Sequence, residues 1–394
     1  MKEIYERLRA ELLSSCVPFW LTHGWDKEYG GLQNCLDREG RVYSSDKSIW
    51  MQGRCGWTFS YLYRHIEKRQ EFLDIARSCI AFATRYGIDP ADGRMYFTVT
   101  RDGRPLRKRR YWFSETFYIM ANAEYYMATG ETPYLDTARR YFDLVYGMYR
   151  DPATDPYKIT PKGIAATRDT KALANPMILL NVASIMREAD AGRSEAYTAI
   201  IDGLIADIRA FHKPEHRAMM ETVRAEDNGV ILDASSGRVV NPGHDIECAW
   251  FVLEEGIHRG DGELRAFAET VFLDAFERGW DKEYGGILYF RDLLGLPVEA
   301  YEHDMKLWWP HNEAAIASLM LYRETGNEKY REIFLRVLDY AFTHFSDPAH
   351  GEWFGYLRRD GKPTEPPCKG HTYKGPFHVM RMLAKCLLLL RDMI

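Results

Sequence analysis

Six segments carry apolar residues at intervals of three and four with charge on the opposite face: IYERLRAELLSSCVPFWL, EFLDIARSCIAFATRY, YLDTARRYFDLVYGMY, EAYTAIIDGLIADIRAF, ELRAFAETVFLDAFERG and KYREIFLRVLDYAFTHF. This is the period of a helix with one side in water and one side on a core. The segments between them include runs such as AAIASLMLY and VMRMLAKCLLLL, apolar nearly all round, which predict helices buried on every side. The alternation predicts twelve helices, alternately outer and inner.

The connections repeat. WDKEYGG stands at Trp25 to Gly31 and again, identical, at Trp280 to Gly286. At nearly the same offset KSIWMQGRCGWTFSYLY, from Lys47, falls on KLWWPHNEAAIASLMLY, from Lys306, and DPADGRMYFTVTRDGRP, from Asp89, falls on DPAHGEWFGYLRRDGKP, from Asp347. Weaker copies begin at Asp151 (DPATDPYKITPKGI) and Pro214 (PEHRAMMETVRAEDNGV), so one unit of turn, short strand and helix occurs six times. An open array of such units needs polar capping repeats. Here the chain begins with an outer-type helix and ends with an inner-type one, and the two complete a unit across the junction. The expected fold is therefore all-α: a closed (α/α)6 barrel, a six-fold toroid with short β-hairpins in the loops at one end, forming a single domain over residues 1–394.

Composition narrows the function. Net charge is −5 and the basic residues are scattered, the densest run being RPLRKRR at Arg104 to Arg110, which reads as a solvated loop; no nucleic-acid partner is expected. The N-terminus is amphipathic and acidic, unlike a signal peptide, and no stretch approaches a membrane span, so the expected location is cytoplasmic, with no membrane partner. Seven cysteines without a C-x-x-C pair read as reduced, mostly buried residues. A zinc site at His212 and His216 is disfavoured by Pro214 between them.

Superposing Arg54 on Glu313 places Arg54, Glu115, Asn175, His244, Glu313 and His378 at equivalent heads of the inner helices. All are polar, each on an otherwise apolar segment, and burying them is costly unless they meet one another or a ligand. Aromatics crowd the same heads: Trp50, Trp57, Tyr111, Trp112, Phe113, Trp250, Trp308, Trp309 and Phe377. Aromatic faces beside polar groups suit sugar rings. His244 and His378 fall on alternate helices, which puts their imidazoles about 5 Å apart across the axis. Two imidazoles flanking one carbon can remove a proton from one face and deliver one to the other. Arg54 is placed to stabilise the developing oxyanion, and Glu313 to position a histidine or assist ring opening.

The segments NPGHDIECAWFVLEE, KLWWPHNEA, KGPFHVMR and QGRCGWTFSYLY, in this order around the ring and spread over essentially the whole chain, resemble the signature segments of the N-acylglucosamine 2-epimerases. The resemblance implies an (α/α)6 barrel, usually a homodimer, interconverting N-acylglucosamine and N-acylmannosamine by proton transfer at carbon 2 of the ring-opened sugar. It implies His244, His378, Glu313 and Arg54 as catalytic residues and no metal or required cofactor. Glu247, in the motif of His244, is expected to hold that histidine or a substrate hydroxyl. Asn175, Glu115, Trp309, His311, Lys306, Gln52 and Tyr111 complete the candidate substrate-binding set. Several members of the family are activated by ATP, although no phosphate-binding loop is evident in this chain. The alternatives are a neutral-sugar epimerase or aldose–ketose isomerase (mannose, cellobiose), an inverting glycoside hydrolase using Glu115 and Glu313, and a toroid that binds a protein partner.

Overall fold

The computed structural model describes residues 1–108, 112–155 and 164–394. The outer helices are α1, α3 (Gln70–Tyr86), α5 (Thr132–Arg150), α7 (Ser194–Arg209), α9 (Gly262–Gly279) and α11 (Glu328–His344). The helix α1 starts at Lys2–Ala10 and runs on to Gly24 through two stretches of wide, π-type turns. The inner helices are α2 (Ile49–His65), α4 (Phe113–Thr129), α6 (Ala174–Ala189), α8 (Pro242–Arg259), α10 (Trp308–Thr325) and α12 (His378–Arg391). Every inner helix packs on the next around the ring, and α12 packs on both α1 and α2, so the toroid is closed.

Strands at one end stitch the units together. The segment before an inner helix pairs with the hairpin of the following unit: Lys47–Ser48 with Thr98–Val99, Thr170–Ala172 with Thr222–Arg224, Val239–Val240 with Arg291–Asp292, and Lys306–Leu307 with Tyr356–Leu357. The junction of the termini is made the same way, Asp37 bridging Cys368 and Leu36 exchanging backbone hydrogen bonds with Lys369 and Gly370. The hairpins recur at Trp25/Leu32, Ile88/Met95, Trp280/Ile287 and Ser346/Trp353, with a fifth at His212–Lys213 and Ala218–Met219. Part of the copy expected from Asp151 lies outside the described residues, as do Arg109 and Arg110 of the basic run.

The repeated heptad does more than turn the chain. Asp26 Oδ1 accepts the backbone N–H of Glu28 and Tyr29, while Oδ2 takes the Lys47 ammonium at 2.9 Å and the Arg101 guanidinium at 2.8 Å. Asp281 repeats the pattern with Glu283 N–H, Lys306 at 2.8 Å and Arg359 at 3.1 Å. Burial works against both carboxylates, but the paired cations win and hold them well below the usual aspartate range. Gly31 and Gly286 have φ of 74° and 76°; a Cβ at Gly31 would lie 2.5 Å from the Gln52 side chain, and one at Gly286 2.5 Å from the Tyr340 ring. Only glycine meets both demands.

Candidate active site

All six inner helices line a central cavity of about 260 Å³, whose polar side is formed by Arg54, His244, Glu247, His378 and Arg381. The histidine of α8 is placed by its cap. Asn241 accepts the N–H of Gly243 and His244, and Pro242 starts the helix without needing a donor. Gly243 has no side chain because Trp309 and Pro310 of α10 would lie within 3 Å of a Cβ. The Trp309 ring therefore sits against His244, with centroids 5.1 Å apart, and against His378 at 5.9 Å.

The two imidazoles live in opposite surroundings. His244 Nδ1 donates to Glu221 Oε1 at 2.7 Å. Burial disfavours its cation, but the Glu221 carboxylate, with Glu247 adding to it, outweighs burial and raises His244 above the ordinary imidazole value. His378 is buried beside two cations: burial first, then Arg381 and Arg54, hold it well below that value, with Glu247 offsetting only part. Its Nδ1 lies 2.7 Å from Glu313 Oε1 and 3.3 Å from Arg381 Nη2. The shorter contact is to a carboxylate, which only accepts, so the Nδ1 proton points at Glu313 and Nε2 is a free base.

Glu313 is fully engaged, accepting from Trp250 Nε1 at 2.8 Å and from Arg381 Nη2 at 2.7 Å besides His378. Contrary to one of the two roles expected from the sequence, Glu247 does not hold His244; its Oε1 accepts from Arg381 at 2.6 Å. Glu247, Glu313 and His378 offer ligand atoms within 4.8 Å of one another, the geometry of a metal site, but the Arg381 guanidinium bonds both carboxylates and supplies the cation there. Arg54 donates from Nη1 to the Tyr373 carbonyl and stacks over Phe117 and Phe377. Burial lowers it to about 9, which leaves it cationic at neutral pH, and its buried Nε has no hydrogen-bond partner among the described residues.

Several candidates lie elsewhere. Glu115 accepts from Arg94 Nε and from Met95 N, the latter at the same 20-residue separation as Gln52 from Leu32 N. It is therefore the counterpart of Gln52, and Phe117 takes the cavity position of Arg54. Gln52 accepts Leu32 N–H at 2.7 Å and donates to Leu32 O; His311 accepts Ile287 N–H at 2.8 Å and donates to Leu307 O. Both pin a hairpin, and burial takes His311 down to about 3, so it stays neutral. Lys306 is sequestered by Asp281. Asn175 lines a separate cleft with Trp112, Tyr149 and Lys171. Trp309 does line the cavity, and Tyr111 lies outside the described residues. His212 packs edge-on against Phe267 instead of pairing with His216. Sequence reasoning missed Glu221, Arg381, Tyr289 and Asn181; the i, i+3 spacing of His378 and Arg381 was a readable signal for one of them.

Fold and site together define a helical toroid with paired histidines of opposite proton affinity at the mouth of its axis, the equipment of a sugar acid–base enzyme. The model of the N-acylglucosamine 2-epimerase family matches residues 23–380, and the chain belongs to that family. It is 40% identical to N-acylglucosamine 2-epimerase from Bos taurus (98% of this chain, 91% of that one) and 40% identical to the one from Homo sapiens (97% and 88%). The solved structure of cellobiose 2-epimerase from Bacillus thermoamylovorans B4167 superposes with a TM-score of 0.85 at 21% identity, over 99% of this chain and 100% of that one, a likeness of fold. No helix among the described residues is long and apolar enough to cross a membrane.

Proposed function

We propose that the protein interconverts N-acyl-D-glucosamine and N-acyl-D-mannosamine by moving the proton at carbon 2 of the ring-opened sugar. The observation that carries this is the pair His244 and His378 in one cavity, both packed against Trp309: His244 is hydrogen-bonded to the Glu221 carboxylate, which favours its cation, and His378 lies beside Arg381 and Arg54, which favour its free base. His378 Nε2 takes the carbon 2 proton, and the electron pair moves into the aldehyde to give an enolate. The Arg54 guanidinium meets the oxyanion. His244 delivers its Nε2 proton to the opposite face of carbon 2, the carbonyl re-forms, and the configuration is inverted. Glu313 and Glu221 act through the histidines, as positioning residues. The second carboxylate oxygen of Glu247 has no hydrogen-bond partner among the described residues and is placed to accept a sugar hydroxyl. No oxidation state changes, so the step calls for no redox partner.

The mammalian relatives at 40% identity support the N-acyl substrate over a neutral sugar, and a cavity below the usual ~300–1,000 Å³ of small-ligand pockets suits one sugar ring. A hydrolase using Glu115 and Glu313 is disfavoured, because Glu115 is tied to Arg94 outside the cavity. On the family resemblance the protein is a homodimer, with nucleotide activation left open; its seven free cysteines, six of them buried, suit the reducing, cytoplasmic location expected from the sequence. The test is to incubate the protein separately with N-acetylmannosamine, N-acetylglucosamine, mannose and cellobiose and follow each by NMR. Epimer should appear from the two N-acyl sugars; epimer from mannose or cellobiose alone would move the assignment to a neutral-sugar enzyme.

A further inference from the structure

The cavity has two unlike walls. Charge enters from α2, α8 and α12, through Arg54, His244, Glu247, His378 and Arg381. The helices α4 and α6 contribute only Phe113, Phe117, Met120, Ala174, Met177 and Ile178, with one exception, Asn181. On α6 the lining residues follow the i, i+3, i+4, i+7 face of the helix, with Asn181 deepest, about 10 Å below Ala174. Asn181 is only half-buried, and it has no hydrogen-bond partner among the described residues.

Carbon 2 must lie near the heads of α8 and α12, where the histidines are. Its substituents are carbon 1, which belongs with Arg54, carbon 3 with the rest of the polyol chain, and the acylated nitrogen. A polyol chain laid on the wall of α4 and α6 would leave several hydroxyls against methionine, isoleucine and phenylalanine, and unsatisfied polar groups there are costly. An acyl chain suits it, since its methyl end is apolar and its amide needs one acceptor and one donor, which an asparagine side chain offers together. We propose that the wall of Phe117, Met120, Met177 and Ile178, closing on Asn181, is the seat of the acyl substituent, and that Met177 and Met120 set the acyl length. The ligand class is a hexosamine with a short, straight N-acyl chain. This rests on the epimerase reading and adds the determinant of its substrate choice.

The experiment measures kcat/KM for N-acetyl-, N-propanoyl- and N-butanoylmannosamine with the wild-type protein, Met177→Ala and Met120→Ala. Shortening a wall methionine opens space of a few methylene groups, and one methylene in an apolar pocket changes discrimination by tenfold or more. The butanoyl-to-acetyl ratio should rise at least tenfold in one of the two variants, and Asn181→Leu should raise KM for all three substrates with a smaller effect on kcat. Unchanged acyl ratios in both methionine variants, with N-acetyl turnover retained, would overturn the assignment. Should either variant misfold, Ile178→Val, which removes a single methylene, reads the same ratio. Absence of turnover by the wild-type protein on every N-acyl sugar would instead sink the epimerase reading itself, and the acyl site with it.

Discussion

The first and fifth units of the ring share the same ion-paired turn and hairpin pin and diverge two residues further along the inner helix. Each has an aspartate holding a buried lysine and a downstream arginine: Asp26 with Lys47 and Arg101, Asp281 with Lys306 and Arg359. In each, the inner helix pins the hairpin by accepting the N–H that follows the paired glycines, through Gln52 in one and His311 in the other. Beyond that, Arg54 presents a cation to the cavity where Glu313 presents a carboxylate to His378. Repetition supplies the scaffold, and the chemistry sits where the repeat stops repeating.

That division can be broken from either side. On the chemical side, His378→Ala should lower kcat for epimerisation by about 10²- to 10⁴-fold, because it removes the imidazole whose surroundings favour the free base. The melting temperature should stay close to wild type, since the imidazole also loses its costly burial among cations; a fall in stability with activity per folded molecule intact would place His378 in the scaffold.

On the scaffold side, Asp281→Asn leaves Lys306 buried without its counter-ion and should cost about 3 kcal/mol of stability by chemical denaturation. Turnover of the folded fraction should hardly change. Asp26→Asn should behave alike, and a marked difference between the two would break the equivalence of the units.

A smaller effect separates the two histidines. In Glu221→Gln the partner that raises His244 is gone, so its proton is lost at lower pH. For the direction that uses His244 as acid, the alkaline limb of kcat/KM should move to lower pH by about one unit, while the limb set by His378 stays. Glu221→Asp should restore part of the shift. Reduced activity with an unmoved profile would assign Glu221 a purely structural role. Smallest is Gln52→His: because His311 accepts the equivalent N–H, this exchange should cost about 1 kcal/mol or less and leave kinetics unchanged.

The ring was legible because its periodicities are local: the 3.6-residue pattern gave outer and inner helices, and two identical heptads gave the register. Arg54, His244, Glu313 and His378 were legible because a charged residue at the head of an apolar helix contradicts its surroundings. Glu115 was misplaced by two residues because the register was carried by loops of unequal length, and Asn175 because it faces the outer layer; their helices line the cavity instead with Phe113, Phe117 and Met120 and with Ala174, Met177, Ile178 and Asn181. Glu221 had no local mark. It meets His244 because the Ala172–Thr222 pairing, the Leu173 N–H to Glu221 O bond and the Glu221 N–H to Val239 O bond hold its segment between the heads of α6 and α8. Lys306, Gln52 and His311 looked like ligands because a buried polar group declares a need for a partner without saying whether the partner is substrate or backbone.

Two histidines of opposite proton affinity that work from opposite faces of one carbon leave a signature in the fate of its hydrogen. The direct test is to follow the first turnovers of protiated N-acetylmannosamine in deuterated water by NMR at carbon 2. N-acetylglucosamine should form fully deuterated at that carbon while the unreacted N-acetylmannosamine keeps its protium. Product that retains the original protium would mean a single base returning the same proton, and would contradict transfer by two histidines.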